Sequence, residues 1–346
     1  MLESFSSKAI LTKARAMYGK QLTGADYQEL LRKTSVGEIA SYLKNQTHYR
    51  EVLENVQETT IHRGQLEDLL RMERFSRYSR LLHYQFSKRD EVYRMLIYEA
   101  ETEQILTSMR LINAQSPEQY IISLPTFLME HTSFDLMKLA RVKSFEDLLG
   151  VLRKTPYYEV VRAVAPAPGR LIDLVACETA LMKFSEERML RISHRDFSGA
   201  QRRELEKLVS IRVDIYNINT LFRIKTFFPQ QDALRCCISG LPSRIPKSMR
   251  ERMLASETPQ QFLQEVKNTI YGAFFRDDEP YSIEGSTQRA RFVRDKSQMR
   301  DSSFAPVVVA AFLSLCRTEV NNLINIIEGV RYGVPREDIE ALLIVS

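Results

Sequence analysis

The chain has 346 residues, with 49 lysines and arginines against 44 aspartates and glutamates, so its formal net charge is +5. Hydrophobic residues make up 44% of the chain and charged residues 27%, which is enough apolar surface for a packed core and excludes an intrinsically disordered protein. Only 12 glycines and 12 prolines occur, which disfavours a turn-rich all-β sandwich, a glycine-cradled nucleotide fold and a collagen.

Helical periodicity runs along most of the chain. Between Leu66 and Phe86, apolar residues recur mostly every three or four positions, which predicts an amphipathic helix of about five or six turns. No long stretch alternates with the period of two that is typical of strands. The sequence therefore predicts an all-α fold, with further long helices over residues 90–112, 170–193, 200–227, 260–275 and 305–330.

Proline and glycine mark the expected helix ends. The segment Arg276–Ser303 is rich in charge and poor in apolar residues, which predicts a polar loop followed by a solvated helix. The strongest apolar run, Phe304–Cys316, is too short for a membrane span of about 20 residues and predicts a buried helix. Breaks are expected at Ser116-Pro117, Ser123-Leu124-Pro125, Ala165–Gly169, Phe228-Pro229 and Ser239–Pro242.

The cysteines and the first residues indicate a reducing compartment. Cys236 and Cys237 are adjacent and cannot easily bridge each other, and the sequence contains no Cys-x-x-Cys motif. We therefore expect reduced thiols at Cys177, Cys236, Cys237 and Cys316. The segment Met1–Phe5 lacks the basic region and apolar run of a signal peptide, which favours the cytoplasm.

One pattern of apolar and hydroxyl residues occurs three times. Residues 30–52 align without gaps to residues 139–161 at an offset of 109, which places Tyr158 opposite Tyr49. The same template fits residues 253–275 with a slip of one position near its end. Each copy predicts a pair of short helices.

A second pattern recurs in phase with the first. It reads acid, two residues, amide, aliphatic, one residue, then Thr or Asn, and it begins at Glu101, Asp214 and Glu319. An aliphatic residue followed by an acid lies between the two patterns in each copy, at Leu66-Glu67, Ile172-Asp173 and Ile283-Glu284. The sequence therefore predicts three helical repeats over residues 1–122, 123–236 and 237–346, of which the third is the least regular.

These residues resemble a known family. The segments Ala14–Gly19 and Tyr42–Tyr49, with Glu319–Arg331 near the end, are similar to the C subunit of archaeal and bacterial V-type (A-type) rotary ATPases, which is related to the d subunit of the vacuolar enzyme. The resemblance covers the whole chain. It implies three helical bundles that form a funnel around a pseudo-threefold axis.

The resemblance also implies a function. Members of the family are non-catalytic rotor subunits on the cytoplasmic side of the membrane, where they sit on the proteolipid ring and accept the foot of the central stalk. The implied partners are therefore the central stalk subunits and the membrane proteolipid rotor ring, in a complex that moves H⁺ or Na⁺. No cofactor, nucleic acid or small-molecule substrate is implied.

Motifs for chemistry are absent from the sequence. Gly19-Lys20 does not belong to a P-loop, because the pattern requires a Gly at Ala14 and a Ser or Thr at Gln21. Neither GxGxxG nor GxSxG occurs. The five histidines lack the spacing of HExxH or of a helical di-iron site. Acids are interspersed with the basic residues of 188–212 and 276–300, which favours solvated faces over a nucleic-acid interface.

The acid–amide pattern supplies the candidate partner-binding residues. An acid and an amide three positions apart share a helix face, where they can hydrogen-bond an incoming stalk or, as we favour, join neighbouring bundles. Clustered arginines are candidates for contacts with polar loops of the ring or with acidic lipids. The full set of candidates is Asp214, Asn217, Arg223, Arg289, Arg291, Arg294, Glu319 and Asn322.

Two alternatives stay open from the residues alone. One is a soluble helical-repeat scaffold unconnected with membranes, which would not associate with a proteolipid ring. The other is an all-α enzyme with an unrecognised site, which would show a concave pocket with converging polar groups and perturbed titrating residues.

Overall fold

A computed structural model describes residues 2–84, 91–228, 236–275 and 283–345. Helix accounts for 72% of the structure, and none of the described residues lies in a strand, which confirms the all-α prediction. Several predicted features fall partly outside these ranges, namely the helix end at Phe86, the helix start at residue 90, the break at Phe228-Pro229 and the first residues of the polar segment Arg276–Ser303.

Fifteen α-helices lie in the described ranges. Short 3₁₀ turns at His48–Arg50, Glu91–Arg94, Pro117–Ser123, Thr126–Leu128 and Gly272–Phe274 connect some of them. In chain order the helices are α1 Leu2–Tyr18, α2 Gly24–Leu30, α3 Val36–Gln46, α4 Arg63–Leu82, α5 Met95–Asn113, α6 Leu136–Leu139, α7 Phe145–Leu152, α8 Tyr158–Ala163, α9 Leu174–Asp196, α10 Gly199–Phe227, α11 Lys247–Ala255, α12 Pro259–Lys267, α13 Ile283–Asp301, α14 Ala305–Tyr332 and α15 Arg336–Leu342.

The short helices predicted three times are present in all three places. Their second members, α3, α7 and α12, each begin after a hydroxyl residue whose side chain accepts a backbone N–H of the first turn. These N-caps are Ser35, Ser144 and Thr258, which explains the hydroxyl position shared by the three sequence copies.

The chain divides into two compact units, one of residues 1–93 with 288–346 and the other of residues 94–287. In the first unit α14 packs against α1, α3, α4 and α15. Its core joins residues of α2 to α4 with Val320, Leu323, Ile326 and Ile327 of α14. A Cβ at Gly329 would lie 2.5 Å from the Ile339 side chain, so glycine permits the close approach of α15 to α14.

In the second unit α5 and α10 each pack against α9. The short helix α7 contacts α5, and α12 contacts α10. Each of these two long helices, which carry the acid–amide pattern, therefore packs against a short helix that comes after it in the chain.

Two predictions about helices are wrong in part. The helix predicted over 260–275 ends at Lys267, because the chain turns back so closely that a Cβ at Gly272 would lie 1.9 Å from the Lys267 carbonyl oxygen. The helix α13, predicted to be solvated, buries Asp295 and Met299. Arg15 of α1 donates hydrogen bonds to the carbonyls of Met299 and Arg300 in the last turn of α13 and of Ser302 just after it, which anchors this end of the helix.

The predicted buried helix is confirmed. Residues 305–316 form the first part of α14 and are all buried. By length and composition α14 is the one helix of the described chain that is apolar enough to cross a membrane, but 78% of its apolar window is covered by the protein itself.

Candidate functional site

Three buried carboxylates lie on the three long helices that carry the acid–amide pattern. Glu101 of α5 and Asp214 of α10 are each 1% exposed, and Glu319 of α14 is 4% exposed. Each one accepts hydrogen bonds from a backbone N–H and from a tyrosine hydroxyl of a distant segment. We call each such arrangement a carboxylate clamp.

Two clamps belong to the second unit. Glu101 accepts the backbone N–H of Ser133 and, at 2.7 Å, the hydroxyl of Tyr157. Asp214 accepts the backbone N–H of Arg244 at 2.9 Å and the hydroxyl of Tyr271 at 2.8 Å, and the Ser243 hydroxyl also donates to it.

The third clamp belongs to the first unit and has additional members. Glu319 accepts the backbone N–H of Leu22 at 2.8 Å and the hydroxyl of Tyr49 at 3.1 Å. Nη1 of Arg77 lies 3.4 Å from the same carboxylate, and Nε2 of His48 lies 2.9 Å from it. Nη1 of Arg77 is also 2.7 Å from Nε2 of His48, so the three side chains form one buried cluster.

Burial raises the pKa of two of the clamp carboxylates. Desolvation raises the pKa of Asp214 and of Glu319, and the hydrogen bonds donated to each carboxylate oppose this rise. The pKa of His48 is lowered to about 3, first by burial and then by the positive charges of Arg77 and Arg80. His48 is therefore neutral near pH 7, and its Nε2 can accept a hydrogen bond from Arg77.

One local device positions all three tyrosines. A threonine just after the short helix donates its hydroxyl to a carbonyl of the last turn, and the same hydroxyl accepts the backbone N–H of the tyrosine two positions later. The pairs are Thr47–Tyr49, Thr155–Tyr157 and Thr269–Tyr271. The ungapped alignment, which placed Tyr158 opposite Tyr49, is therefore off by one position at this point.

The amides of the pattern bind the chain after each long helix. Asn217 donates to the carbonyl of Ile238 at 2.9 Å and accepts its N–H at 2.8 Å. Asn322 makes the same two bonds to Ile344, at 2.9 and 3.0 Å. In the first copy, Gln104 instead accepts the hydroxyl of Tyr120 at 2.7 Å.

The candidate arginines lie in different surroundings. Arg223 forms an ion pair with Glu284, and both side chains are about half exposed. On α13, Arg291 lies 3.8 Å from the buried carboxylate of Asp295. Arg289 and Arg294 of the same helix are partly buried, and the positive charge of Arg294 also acts on Asp295.

The structure thus brings some of the candidate residues together. Asp214 and Asn217 share α10 in the second unit, and Glu319 and Asn322 share α14 in the first. Sequence reasoning missed the donors of the clamps, including Arg77 and the backbone N–H groups. The repeated Thr-x-Tyr was the signal that could have identified the tyrosines.

The chemistry available to the clamps is hydrogen bonding. Their carboxylates are held by donors of the chain itself, so they are arranged to connect segments of the protein. Within the described ranges, no group of three or more His, Cys, Asp and Glu residues is placed to hold a metal ion.

Comparison with known proteins gives consistent matches. The C subunit of the A-type ATP synthase of Archaeoglobus fulgidus is 24% identical over 221 residues, which are 61% of this chain and 60% of that protein. The protein of the same name from Methanosphaera stadtmanae is 22% identical over 61% of this chain and 57% of its own length. The one from Desulfurococcus sp. is 23% identical over 343 residues, 95% of this chain and 88% of its own length.

The alignments with the first two relatives thus span only about three fifths of their length. The family match is more extensive, because the ATP synthase (C/AC39) subunit family matches residues 10–342. The chain therefore belongs to the ATP synthase (C/AC39) subunit family.

Proposed function

We propose that this chain is a non-catalytic central-rotor subunit of a V-type or A-type ATPase. It would link the central stalk to the membrane proteolipid ring on the cytoplasmic face and transmit torque for H⁺ or Na⁺ transport. Family membership over residues 10–342 and relatives named as C subunits of A-type ATP synthases support this proposal.

The observation that carries the proposal is the recurrence of the carboxylate clamp. A protein that transmits torque must resist shear between its helices. Hydrogen bonds to a buried carboxylate are stronger than bonds between neutral groups, and each clamp fixes a long helix to a distant segment. The three clamps, at Glu101, Asp214 and Glu319, therefore supply stiffness of the kind that a rotor element needs.

We further propose that three helical repeats, over residues 1–122, 123–236 and 237–346, form the funnel implied by the resemblance. The clamps support this arrangement, because each connects the last long helix of one repeat to the short helices of another. Glu101 contacts the second repeat, Asp214 the third, and Glu319 the first.

The exposure of each candidate side chain determines which role in partner binding we propose for it. Asp214, Asn217, Glu319 and Asn322 are bonded within the chain, so they would serve the stalk contact by positioning α10 and α14. Arg223 is half exposed and can reach a partner directly. For the ring we propose the arginines of α13, of which Arg289 has no carboxylate partner in the described part of the chain.

Size exclusion tests the proposal. The purified chain is mixed with detergent-solubilised proteolipid ring and, separately, with the stalk subunits, at low and moderate salt. We expect co-migration in both mixtures. Failure of a folded, helical chain to bind either partner would favour the alternative of a helical-repeat scaffold unconnected with membranes.

A further inference from the structure

A cleft of about 270 Å³ opens on the first unit beside the Glu319 clamp. Its walls come from the end of α1, the loop after it and α2, from α13 and α14, and from the residues after α15. Both hydrogen-bonded devices of α14 form part of the lining, because Glu319 and Asn322 line the cleft together with their partners Leu22 and Ile344.

The cleft has one cationic group in its lining. Lys296 of α13 lines it, and no carboxylate in the described ranges forms an ion pair with this lysine. Its ammonium lies 5.4 Å from the centre of the Phe292 ring, which also lines the cleft. The negative charge of Glu319 is already compensated, because Leu22, Tyr49 and Arg77 surround its two oxygens.

Polar and apolar groups share the remaining walls. Tyr18, Gln21 and Thr318 provide hydroxyl and amide groups, and Tyr27, Leu315 and Val345 provide apolar surface. Such a lining suits a side chain with an apolar stem and one anionic head. A phosphate is recognised best by several converging cations or a guanidinium fork, and this cleft supplies one point charge.

We propose that this cleft binds an aspartate or glutamate side chain of a central-stalk subunit, with Lys296 as its ion-pair partner. The inference rests on the proposed function, which supplies the partner. It adds a specific contact at the cleft lined by α13 and α14. Because Glu319 and Asn322 also line this cleft, the contact explains how a partner can reach their helix face from solvent.

Zero-length cross-linking tests the contact in the assembled complex of full-length chain and stalk subunits. A water-soluble carbodiimide joins an ammonium to a carboxylate in direct contact, forming an amide while the reagent takes up the released water as a urea. We expect mass spectrometry to find Lys296 joined to an Asp or Glu of the stalk. Cross-links from Lys296 to the ring instead would overturn the assignment.

Affinity measurements provide the second test. We expect Lys296→Gln to weaken stalk binding about tenfold and to reduce its salt dependence, and Lys296→Glu to weaken it further. Lys8→Glu makes the same charge change as Lys296→Glu at an exposed position of α1 and should alter the affinity less than about twofold. Equal affinity of wild type and Lys296→Glu across the salt series contradicts the inference.

A variant that fills the cleft distinguishes the loss of the Lys296 charge from the loss of space for the partner's side chain. A Cβ at Gly24, which lines the cleft, would meet no atom within 4 Å, so the side chain of Gly24→Phe starts from an open position at the cleft wall. We expect it to weaken stalk binding with an unchanged midpoint of thermal unfolding. If wild type fails to bind the stalk, the proposed function fails. If wild type binds and the variants bind equally well, the cleft assignment alone fails.

Discussion

The hydroxyl of Tyr157 donates a 2.7 Å hydrogen bond to Oε2 of Glu101, which lies 56 residues earlier in the chain. Tyr271 and Asp214 repeat this relationship at a separation of 57 residues. In the third clamp the order is reversed, because Tyr49 precedes Glu319 by 270 residues. The first two clamps thus connect a long helix to a later segment of the chain, and the third connects α14 to the earlier residues Leu22 and Tyr49.

The Glu101 clamp offers a matched pair of tyrosines for a stability test. Tyr157→Phe removes one donor from a buried carboxylate, and we expect the free energy of unfolding to fall by about 1–3 kcal/mol. Tyr158→Phe removes a hydroxyl at the neighbouring, less buried position and should change it by less than about 0.5 kcal/mol. Urea denaturation of both variants measures the difference, and equal effects would contradict the role of the clamp.

The amide of α14 offers a second matched pair. Asn322→Ala leaves the backbone N–H and carbonyl of Ile344 without their side-chain partner, so we expect a loss of about 1–3 kcal/mol and faster hydrogen exchange at the Ile344 amide. The adjacent Asn321 is exposed, so Asn321→Ala serves as the control. Unchanged exchange at Ile344 in Asn322→Ala would show that the chain end is held in another way.

Much of the fold follows from the sequence. Apolar periodicity alone predicts the long helices over residues 170–193, 200–227 and 305–330, because apolar residues recur there every three or four positions. The boundaries differ by at most four residues from Leu174–Asp196, Gly199–Phe227 and Ala305–Tyr332. Local periodicity does not predict the end of α12 at Lys267, where the chain turns back and Gly272 lies against the Lys267 carbonyl.

The clamps show why only part of the site could be predicted. The acid and the amide lie three positions apart in each copy, so they are visible in the sequence as a motif. The donors to the three carboxylates lie 29 or more residues away in sequence, and several of them are backbone N–H groups that leave no trace in residue identity. The partition into residues 1–93 with 288–346 and residues 94–287 likewise depends on tertiary packing. The repeat boundaries near 122 and 236 stay a prediction.

His48 gives the Glu319 clamp a distinctive pH dependence. The pKa of His48 is about 3 in the folded protein, below the ordinary value of 6.5, so the unfolded chain binds the proton more readily between these values. Its contribution to stability is therefore present above pH 6.5 and is lost as the pH falls towards 3.

The variant His48→Gln keeps a polar side chain and cannot titrate. We expect the stability of wild type relative to this variant to decrease as the pH is lowered from about 7 to about 4, by up to about 1 kcal/mol per pH unit. Denaturation curves at several pH values measure this difference. A difference that is independent of pH would mean that His48 has an ordinary pKa in the folded protein.

Two arginines of α13 allow an effect on folding stability to be distinguished from an effect on ring binding. Arg291→Glu removes the ion-pair partner of the buried Asp295 and places a like charge beside it, so we expect a loss of stability of about 2–3 kcal/mol. Arg289→Glu makes the same charge change without breaking an ion pair of the described chain and should cost less than about 1 kcal/mol.

Arg289→Glu is therefore the cleaner probe of the ring contact. We expect it to weaken association with the proteolipid ring, most clearly at low salt, while its unfolding midpoint stays near that of wild type. Ring binding equal to that of wild type at every salt concentration would remove Arg289 from the docking surface.

The central claim is that this chain bridges two parts of a rotor. Its most direct test is reconstitution of proteolipid ring and stalk subunits with and without the chain, followed by size exclusion and analysis of each peak. We expect one ternary peak when the chain is present and separate ring and stalk peaks when it is omitted. Equal association of ring and stalk without the chain would contradict the proposed function.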